Sequence, residues 1–205
     1  MPKIVDHDQY RKELLAKSFH LFAEKGYATV TMREIAKALE VSTGTLYHYF
    51  PSKELLFEQL MDELTQQDIR QFTEATQGAT TQAEKIAIAF QFMEQNQDNY
   101  FKLTLVLADF YQQQSNQGTD SVLQRIFQRS LAQVEQEISN LFGIQDPDLT
   151  TFVISYIDGL IWQKIYGNRV DYTKQGELFL AMLTAYLNQL EPSSKRQPIA
   201  LKEKR

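Results

Sequence analysis

TMREIAKALEVSTGTLYHYF, residues 31–50, decides how this chain folds. Thr31 and Glu34 have the spacing of a capping box, in which each side chain caps the backbone N–H of the other residue. Ala36 is small enough for two helices to approach closely, and Ser42 can cap a second helix after a short turn. The stretch therefore predicts a helix-turn-helix.

Helices are also predicted on both sides of this stretch. Apolar residues recur at three- and four-residue spacing, and only five prolines and eight glycines interrupt the chain. A first helix starts at Asp8 and ends before Gly26, and a long fourth helix starts at Lys53. Five further helices are predicted over 82–97, 99–114, 119–142, 148–166 and 173–190. The sequence thus predicts an all-α protein of about nine helices.

Turn and capping residues mark the predicted starts and ends of helices in the second half of the chain. A loop is predicted at 116–118, helix stops at Gly143 and Gly167, and a cap at Asp146 before Pro147. We divide the chain into an amino-terminal three-helix domain (8–52), a helical domain (53–190) and a tail (191–205). The tail contains five basic side chains and two prolines, and we predict that it is disordered.

Composition limits the class of protein. The chain has 205 residues, of which 43% are hydrophobic, so it can bury a core. It contains no cysteine, which excludes disulfides, thiolate metal sites and a cysteine nucleophile. Its amino terminus lacks the apolar segment of a signal peptide, and no run of about 18 apolar residues follows. We therefore expect a cytosolic protein without a membrane segment.

The net charge of −5 is distributed unevenly. Residues 1–55 carry a net +1, residues 56–190 a net −9 and residues 191–205 a net +3. Binding to nucleic acid needs only a local cationic surface, so the overall acidity does not exclude it.

The second helix of the motif must bury one face and present another. Val41, Leu46 and Phe50 form the apolar face. The helix starts with small polar residues, which let the backbone approach base edges while their hydroxyls form hydrogen bonds there. We expect base or phosphate contacts from these residues, from the aromatic residues after them and from flanking side chains: Thr31, Arg33, Ser42, Thr43, Gly44, Thr45, Tyr47, His48, Tyr49 and Lys53.

Two other interpretations stand beside this one. Any short amphipathic helix pair with polar ends can show a similar pattern, and Tyr47 has an alternative role in packing against the preceding helix. His48 is one of three histidines, and His7 and His20 lie far from it in sequence, so no metal site is expected.

Sequence features of enzymes are missing. There is no Gly-rich phosphate loop, no HExxH motif and no histidine among the carboxylates of the acidic region. The pair Glu135/Glu137 is interpreted as solvated surface, and the pair Asp146/Asp148 as a helix cap. We therefore expect neither catalysis nor a cofactor.

Three runs of sequence resemble the DNA-binding domain of the TetR family of bacterial transcription regulators. They are FAEKGY (22–27), TVTMREIA (29–36) and VSTGTLYHYFPSKELL (41–56), within a similarity over about residues 8–68. The resemblance implies that the ten residues named above contact double-stranded DNA. Glu40 departs from the family, which usually has glycine in this turn. Either φ is positive at Glu40, at a cost on the order of 1 kcal/mol, or the turn differs slightly from that of the family.

The resemblance also implies a carboxyl-terminal domain that dimerises and binds a small molecule. In TetR-like proteins the last two long helices pair with those of a second copy, and both helices here are apolar on more than one face. Packing within one subunit is the alternative. The expected interface residues are Phe152, Tyr156, Leu160, Phe179, Met182, Leu183 and Leu187.

An effector pocket is expected between the fourth helix and those that follow it. A ligand there can change the angle at which the DNA-binding unit is held. An aromatic lining without cations favours an apolar, neutral or cationic ligand, whereas ordinary core packing is the alternative. The expected lining residues are Phe57, Met61, Phe90, Met93, Tyr100, Phe101, Phe110, Tyr111 and Trp162.

Together these inferences predict a homodimeric repressor that binds a palindromic operator and is released by a small apolar or aromatic effector. An activator, or a regulator that responds to a protein partner, is the alternative. In a two-fold dimer the two recognition helices lie about 34–36 Å apart, one turn of B-DNA, or a multiple of it.

Overall fold

The computed structural model describes residues 6–114, 122–142 and 146–190, and every regular element in these ranges is a helix. The eight helices are α1 His7–Lys25, α2 Met32–Ala38, α3 Thr43–Tyr49, α4 Lys53–Ala75, α5 Gln82–Gln114, α6 Val122–Phe142, α7 Pro147–Ile165 and α8 Tyr172–Leu190. The predicted all-α class is confirmed. None of these helices is both long and apolar enough to cross a membrane.

Side-chain caps fix the ends of the short helices, as predicted. Ser42 Oγ accepts the N–H of Thr45 at 2.9 Å, and Ser52 Oγ accepts the N–H of Leu55 at 3.1 Å. Gly26 ends α1 with a φ of 80°, a conformation that glycine adopts without steric cost. The helix-turn-helix therefore has the boundaries that its capping residues indicate.

Glu40 closes the turn between α2 and α3 with a φ of 58°. Its N–H donates to the carbonyl of Lys37 at 3.2 Å, and the N–H of Val41 donates to the carbonyl of Ala36 at 3.0 Å. These two bonds form a Schellman motif, whose left-handed position favours glycine. The strain expected at Glu40 is therefore present, and the turn keeps the geometry of a glycine turn.

One predicted boundary is wrong: residues 82–97 and 99–114 form the single helix α5. The polar run at 97–99 suggests a break, but it contains neither proline nor glycine. Asp98 pairs with Lys164 of α7 on the surface, which gives the polar side chain a partner without interrupting the helix. With 33 residues, α5 extends about 50 Å.

Buried apolar side chains form two cores. The first is formed by α1, α2, α3 and α4 and includes Val106 and Phe110 of α5 and Ile126 of α6. The rings of Phe110 and Phe57 stack there with centroids 4.4 Å apart. The second core joins the first half of α5 to α6, α7 and α8, where the ring centroids of Phe90 and Phe179 lie 5.7 Å apart. Helix α5 therefore belongs to both cores.

An ionic cluster holds α6 against α4. The buried carboxylate of Glu58 pairs with Arg129 at 3.0 Å and with Arg125 at 3.5 Å. Arg129 also pairs with Asp62 at 3.1 Å. A buried charge is tolerated when it is paired in this way, so the cluster fixes the relative position of the two helices.

Some predictions fall outside the described residues: the loop at 116–118, the helix start at 119, the stop at Gly143 and the disordered tail at 191–205. Two others are confirmed. Asp146 caps α7, which opens with Pro147, and Gly167 follows α7 with a φ of 79°.

Candidate nucleic-acid interface

Helices α2 and α3 are fixed by side chains that are completely enclosed. Ile35 of α2, Leu46 of α3 and Phe50 after α3 have no exposed surface, and Val41 packs against them while partly buried. The apolar face predicted for α3 is therefore the one that it buries. Since α3 has seven residues, its remaining positions are left to solvent or to a partner.

The start of α3 presents small side chains. Ser42, Thr43 and Gly44 are exposed, and the hydroxyls of Ser42 and Thr45 lie 2.8 Å apart. A Cβ added at Gly44 would meet only Ser42 Oγ, at 3.7 Å, which is ordinary contact. The fold itself therefore does not require glycine at position 44. A molecule that binds close against the backbone here would require it, because a side chain would keep that molecule away.

The three aromatic residues of α3 differ in their surroundings. Tyr47, with 50% of its surface exposed, and His48 face solvent. Tyr49 is half-buried, and its hydroxyl is hydrogen-bonded to His7 Nδ1 at 2.7 Å. Its ring packs edge-on against that of Tyr10, with centroids 5.5 Å apart. The alternative that Tyr47 packs against α2 is therefore wrong. Tyr49 instead contacts α1 and connects α3 to it.

Lys53 is held at the start of α4. Its ammonium donates to the carbonyls of Tyr27 and Val30, each at 2.9 Å, and lies 4.1 Å from the centre of the Tyr27 ring. Burial lowers the pKa of this ammonium. An ammonium has three N–H donors, so one is left for an anion such as phosphate. Phosphate contact by Lys53 stays a prediction, with the cation now fixed in position.

The amino-terminal end of α2 carries two of the predicted residues. The Thr31 hydroxyl and N–H both donate to Glu34 Oε2, at 2.7 and 2.8 Å, and the Glu34 N–H donates to Thr31 Oγ1 at 3.3 Å. These hydrogen bonds lower the pKa of the Glu34 carboxyl group. Arg33 is exposed. All ten predicted contact residues are exposed or half-buried, and Tyr49 also packs against the first core.

A second candidate site lies in the other half of the molecule. Helices α4 to α8 enclose a cavity of about 400 Å³ with mainly apolar walls. Phe90, Met93 and Tyr100 line it, as predicted from the sequence. The other predicted residues do not. Phe57, Met61 and Phe110 lie in the first core, Phe101 is half-buried away from the cavity, and Tyr111 and Trp162 are exposed.

Three carboxylates line the same cavity: Asp68, Glu137 and Asp158. The interpretation of Glu137 as solvated surface is therefore wrong, because it is half-buried against the cavity, whereas Glu135 is exposed. Asp68 and Asp158 escaped the sequence analysis. For Asp68 the sequence does contain an indication. Asp68 lies on the same face of α4 as the buried residues Phe57 and Met61, where an acidic side chain is unusual.

The predicted interface residues divide into two groups. Leu160, Phe179 and Leu183 lie in the core of their own subunit because the helical period turns them inward, and Tyr156 and Leu187 are half-buried. Phe152 and Met182 are exposed. Other large apolar side chains exposed on the same two helices are Trp162, Leu178 and Tyr186, and Tyr166 is exposed directly after α7. An apolar outer surface on α7 and α8 thus exists, but its membership differs from the sequence prediction.

Comparison with known proteins assigns the amino-terminal part. Residues 14–60 match the family model described as bacterial regulatory proteins, tetR family. Residues 14–60 therefore form a domain of the tetR type. The HTH-type transcriptional repressor KstR2 of Mycolicibacterium smegmatis is 31% identical over 80 residues, which is 39% of this chain and 39% of that protein. The sequence match to this curated relative thus spans about two fifths of its length.

Solved structures extend the similarity to the rest of the fold. A transcriptional regulator from Rhodococcus sp. RHA1 has a TM-score of 0.67 at 20% identity, covering 86% of this chain and 96% of that one. A regulator from Saccharomonospora viridis, crystallised in complex with choline, has a TM-score of 0.65 at 16% identity, covering 88% and 97%. The TetR domain and the helices behind it therefore share one known architecture.

Proposed function

We propose that the protein is a sequence-specific DNA-binding transcription regulator, a homodimeric repressor that leaves a palindromic operator when a small effector occupies the cavity. The observation that carries the proposal is the start of α3. Ser42, Thr43 and Gly44 are exposed on a helix whose other face is sealed by Leu46 and Phe50. Small polar residues at this end of a recognition helix suit the edges of bases in a major groove.

The proposed contacts follow from these positions. Thr43 and Thr45 would read base edges, and Gly44 would let the backbone come close. Arg33, Tyr47 and the remaining N–H of Lys53 would bind phosphates and set the register of the complex. The family membership of this domain and the repressor name of a relative support this assignment.

Dimerisation is proposed through the outer surface of α7 and α8. Its exposed residues Phe152, Leu178 and Met182 are large and apolar, and such a patch on a soluble protein marks an interaction site. A two-fold axis there would place two α3 helices on successive major grooves of one operator.

The cavity is the proposed effector site. It lies between α4, which leaves the DNA-binding domain, and α5 to α8. A change from mostly bound to mostly free operator requires the effector to prefer one conformation by about 10⁴-fold. Such a preference needs a cavity that differs substantially between conformations. Choline, bound in a structural neighbour of this fold, is one known ligand of that neighbour.

Selection of bound sequences from a random DNA pool, with the purified full chain, tests the proposal. We expect a palindromic consensus whose half-sites are about 10 base pairs apart, or a multiple of that. Failure to enrich any sequence contradicts DNA recognition. A non-palindromic consensus contradicts the two-fold dimer but keeps the DNA-binding function.

A further inference from the structure

The cavity has walls suited to an organic molecule. Five aromatic rings contribute to it from α4, α5 and α8: Phe72, Phe90, Phe92, Tyr100 and Phe179. A volume of about 400 Å³ is within the range of small-molecule sites. If the cavity is an effector site, as proposed above, its lining determines which chemical class of molecule it takes.

Negative groups approach the cavity from three helices. Asp68 comes from α4, Glu137 from α6 and Asp158 from α7. No lysine, arginine or histidine lines it among the residues that the structure describes. None of the three carboxylates takes part in an ion pair with another described residue. The cavity therefore has a negative potential that the described part of the chain does not compensate.

Asp68 is the most confined of the three. It is half-buried, and the hydroxyl of Tyr100 donates a hydrogen bond to its carboxylate. Burial raises the pKa of Asp68 to about 6. Desolvation at the cavity wall also raises the pKa of Asp158, although the residue as a whole is exposed. Near pH 7.5 Asp68 is thus still ionised, but its charge is poorly solvated. A poorly solvated charge gains from a counterion more than a solvated one does.

The arrangement favours an organic cation over a metal ion. In the described ranges, no three acidic or histidine side chains come close enough together to hold a metal. Aromatic rings, by contrast, attract ammonium groups through their π faces, and quaternary ammonium ligands are typically held in aromatic surroundings. Carboxylates on one part of the wall and rings on the rest match a molecule with a charged head and an apolar body.

We propose that the effector is an organic cation with a hydrocarbon body, an alkylamine or a quaternary ammonium compound. Its head lies beside Asp68, where Glu137 and Asp158 add negative charge. Its body lies between the aromatic rings. The ring of Tyr100 contacts the head, and its hydroxyl holds the Asp68 carboxylate in place.

Three probes with the same decyl chain test this assignment by calorimetric titration of the full chain: decyltrimethylammonium, decanol and decanoate, each below its micelle concentration. We expect the cation to bind at least about tenfold more tightly than decanol, because it gains one charge interaction. We expect decanoate to bind more weakly than decanol, because its carboxylate has the same sign as the cavity. Equal binding of the cation and decanol, tighter binding of decanoate, or no binding of the cation overturns the proposal.

Matched variants locate the interaction. D68N should lower the affinity for decyltrimethylammonium by about tenfold and leave that for decanol unchanged. E135Q removes the same charge from an exposed position of α6 and should change neither. D158N provides a second test in case D68N alters folding. Unchanged cation affinity in both aspartate variants contradicts the assignment.

A pH series separates charge recognition from shape. The other titratable groups that line the cavity are Tyr100 of α5, Glu137 of α6 and Asp158 of α7. Protonation of Asp68 as the pH falls through about 6 should weaken binding of decyltrimethylammonium, which keeps its charge, and leave decanol unaffected. A cation affinity that is constant from pH 7.5 to pH 5 contradicts the proposed role of Asp68.

The same probes distinguish this inference from the proposed function. If the cation binds as expected but does not release the selected operator, the effector role fails while the ligand class stands. If decanol or decanoate releases the operator and the cation does not, the regulator stands and the ligand class is wrong.

Discussion

The carboxylate of Asp109, near the end of α5, accepts a hydrogen bond from the backbone N–H of Ala28 at 2.9 Å. Ala28 belongs to the connection between α1 and α2, so this bond joins the cavity-lining helix directly to the DNA-binding domain. Gly26 lies beside it, where a Cβ would come within 3.0 Å of Asp109 Oδ2. Leu107, two residues before Asp109, lines the cavity. The two proposed sites are thus connected along one helix.

We expect D109A to weaken the link between the two sites. Loss of a hydrogen bond to a charged acceptor should lower the free energy of unfolding by about 1–3 kcal/mol. It should also reduce the factor by which a cavity ligand changes operator affinity. D109N keeps an acceptor at the same place and should retain most of that factor. Operator affinity is measured with and without ligand, and an undiminished factor in D109A contradicts a role for this bond in coupling.

E40G should stabilise the protein. Glycine removes the cost of a positive φ at the left-handed position of the turn, so the free energy of unfolding should rise by about 1 kcal/mol. E40A removes the same side-chain charge but keeps a Cβ, so it should give no comparable gain. Urea denaturation of both variants measures the difference. An equal effect of the two substitutions would show that charge, and not backbone conformation, matters at this site.

G44A should separate stability from DNA binding. Alanine fits the fold at Gly44 and favours the helix, so the free energy of unfolding should stay constant or rise by up to about 1 kcal/mol. Operator affinity should nevertheless fall by about tenfold or more, because the added methyl group keeps the backbone away from the bases. Denaturation and DNA titration are done on the same preparation. Unchanged operator affinity contradicts the proposed approach of α3 to DNA.

M182E and L178E should dissociate the proposed dimer. Each places a charge in an apolar surface of α8, where burial against a second copy leaves it without a partner. F127E puts the same charge on an exposed phenylalanine of α6, outside the proposed interface, and should leave the assembly unchanged. Light scattering coupled to size exclusion gives the mass in solution. If F127E dissociates the protein and M182E does not, the interface lies on α6 instead.

D68N should stabilise the ligand-free protein at neutral pH. The pKa of Asp68 is about 6 in the folded chain against 3.8 as its ordinary value, so folding favours the protonated form. The ionised carboxylate therefore costs stability, beginning as the pH rises above about 4 and reaching its full value above about 6. Asparagine avoids this cost, with a gain of up to about 3 kcal/mol at pH 7.5 and none near pH 4. Denaturation at the two pH values measures it, and a loss of stability at pH 7.5 contradicts this account.

Much of the amino-terminal domain could be predicted from the sequence because its determinants are local. The Thr31–Glu34 capping box, the Ser42 cap and the stop at Gly26 each depend on residues within a few positions of one another. Even the positive φ of Glu40 follows from a comparison with the family's glycine at one position.

Features that depend on contacts between distant parts of the chain could not be predicted from the sequence. The polar residues at 97–99 suggest a loop, whereas in the fold they continue α5 and Asp98 pairs with Lys164 of α7, a partner that lies 66 positions away in the sequence. The sequence shows that α7 and α8 are apolar on several faces, but it does not show that Leu160 turns inward while Phe152 stays outside. The three carboxylates line one cavity only because α4, α6 and α7 all contribute to its wall, so their positions in the sequence give no sign of a common site.

The participation of α5 in both cores limits how this protein can be recombined. A fragment that stops after α4 lacks Val106 and Phe110 and so exposes the apolar surface that they cover in the first core. A chimera that joins this DNA-binding domain to the sensing helices of a relative must therefore carry matching residues at 106, 109 and 110 of α5 and at 126 of α6. The exchangeable unit is not bounded by the loop before α5. It includes one end of that helix, so any natural or engineered swap of effector specificity has to preserve this end together with the domain that it contacts.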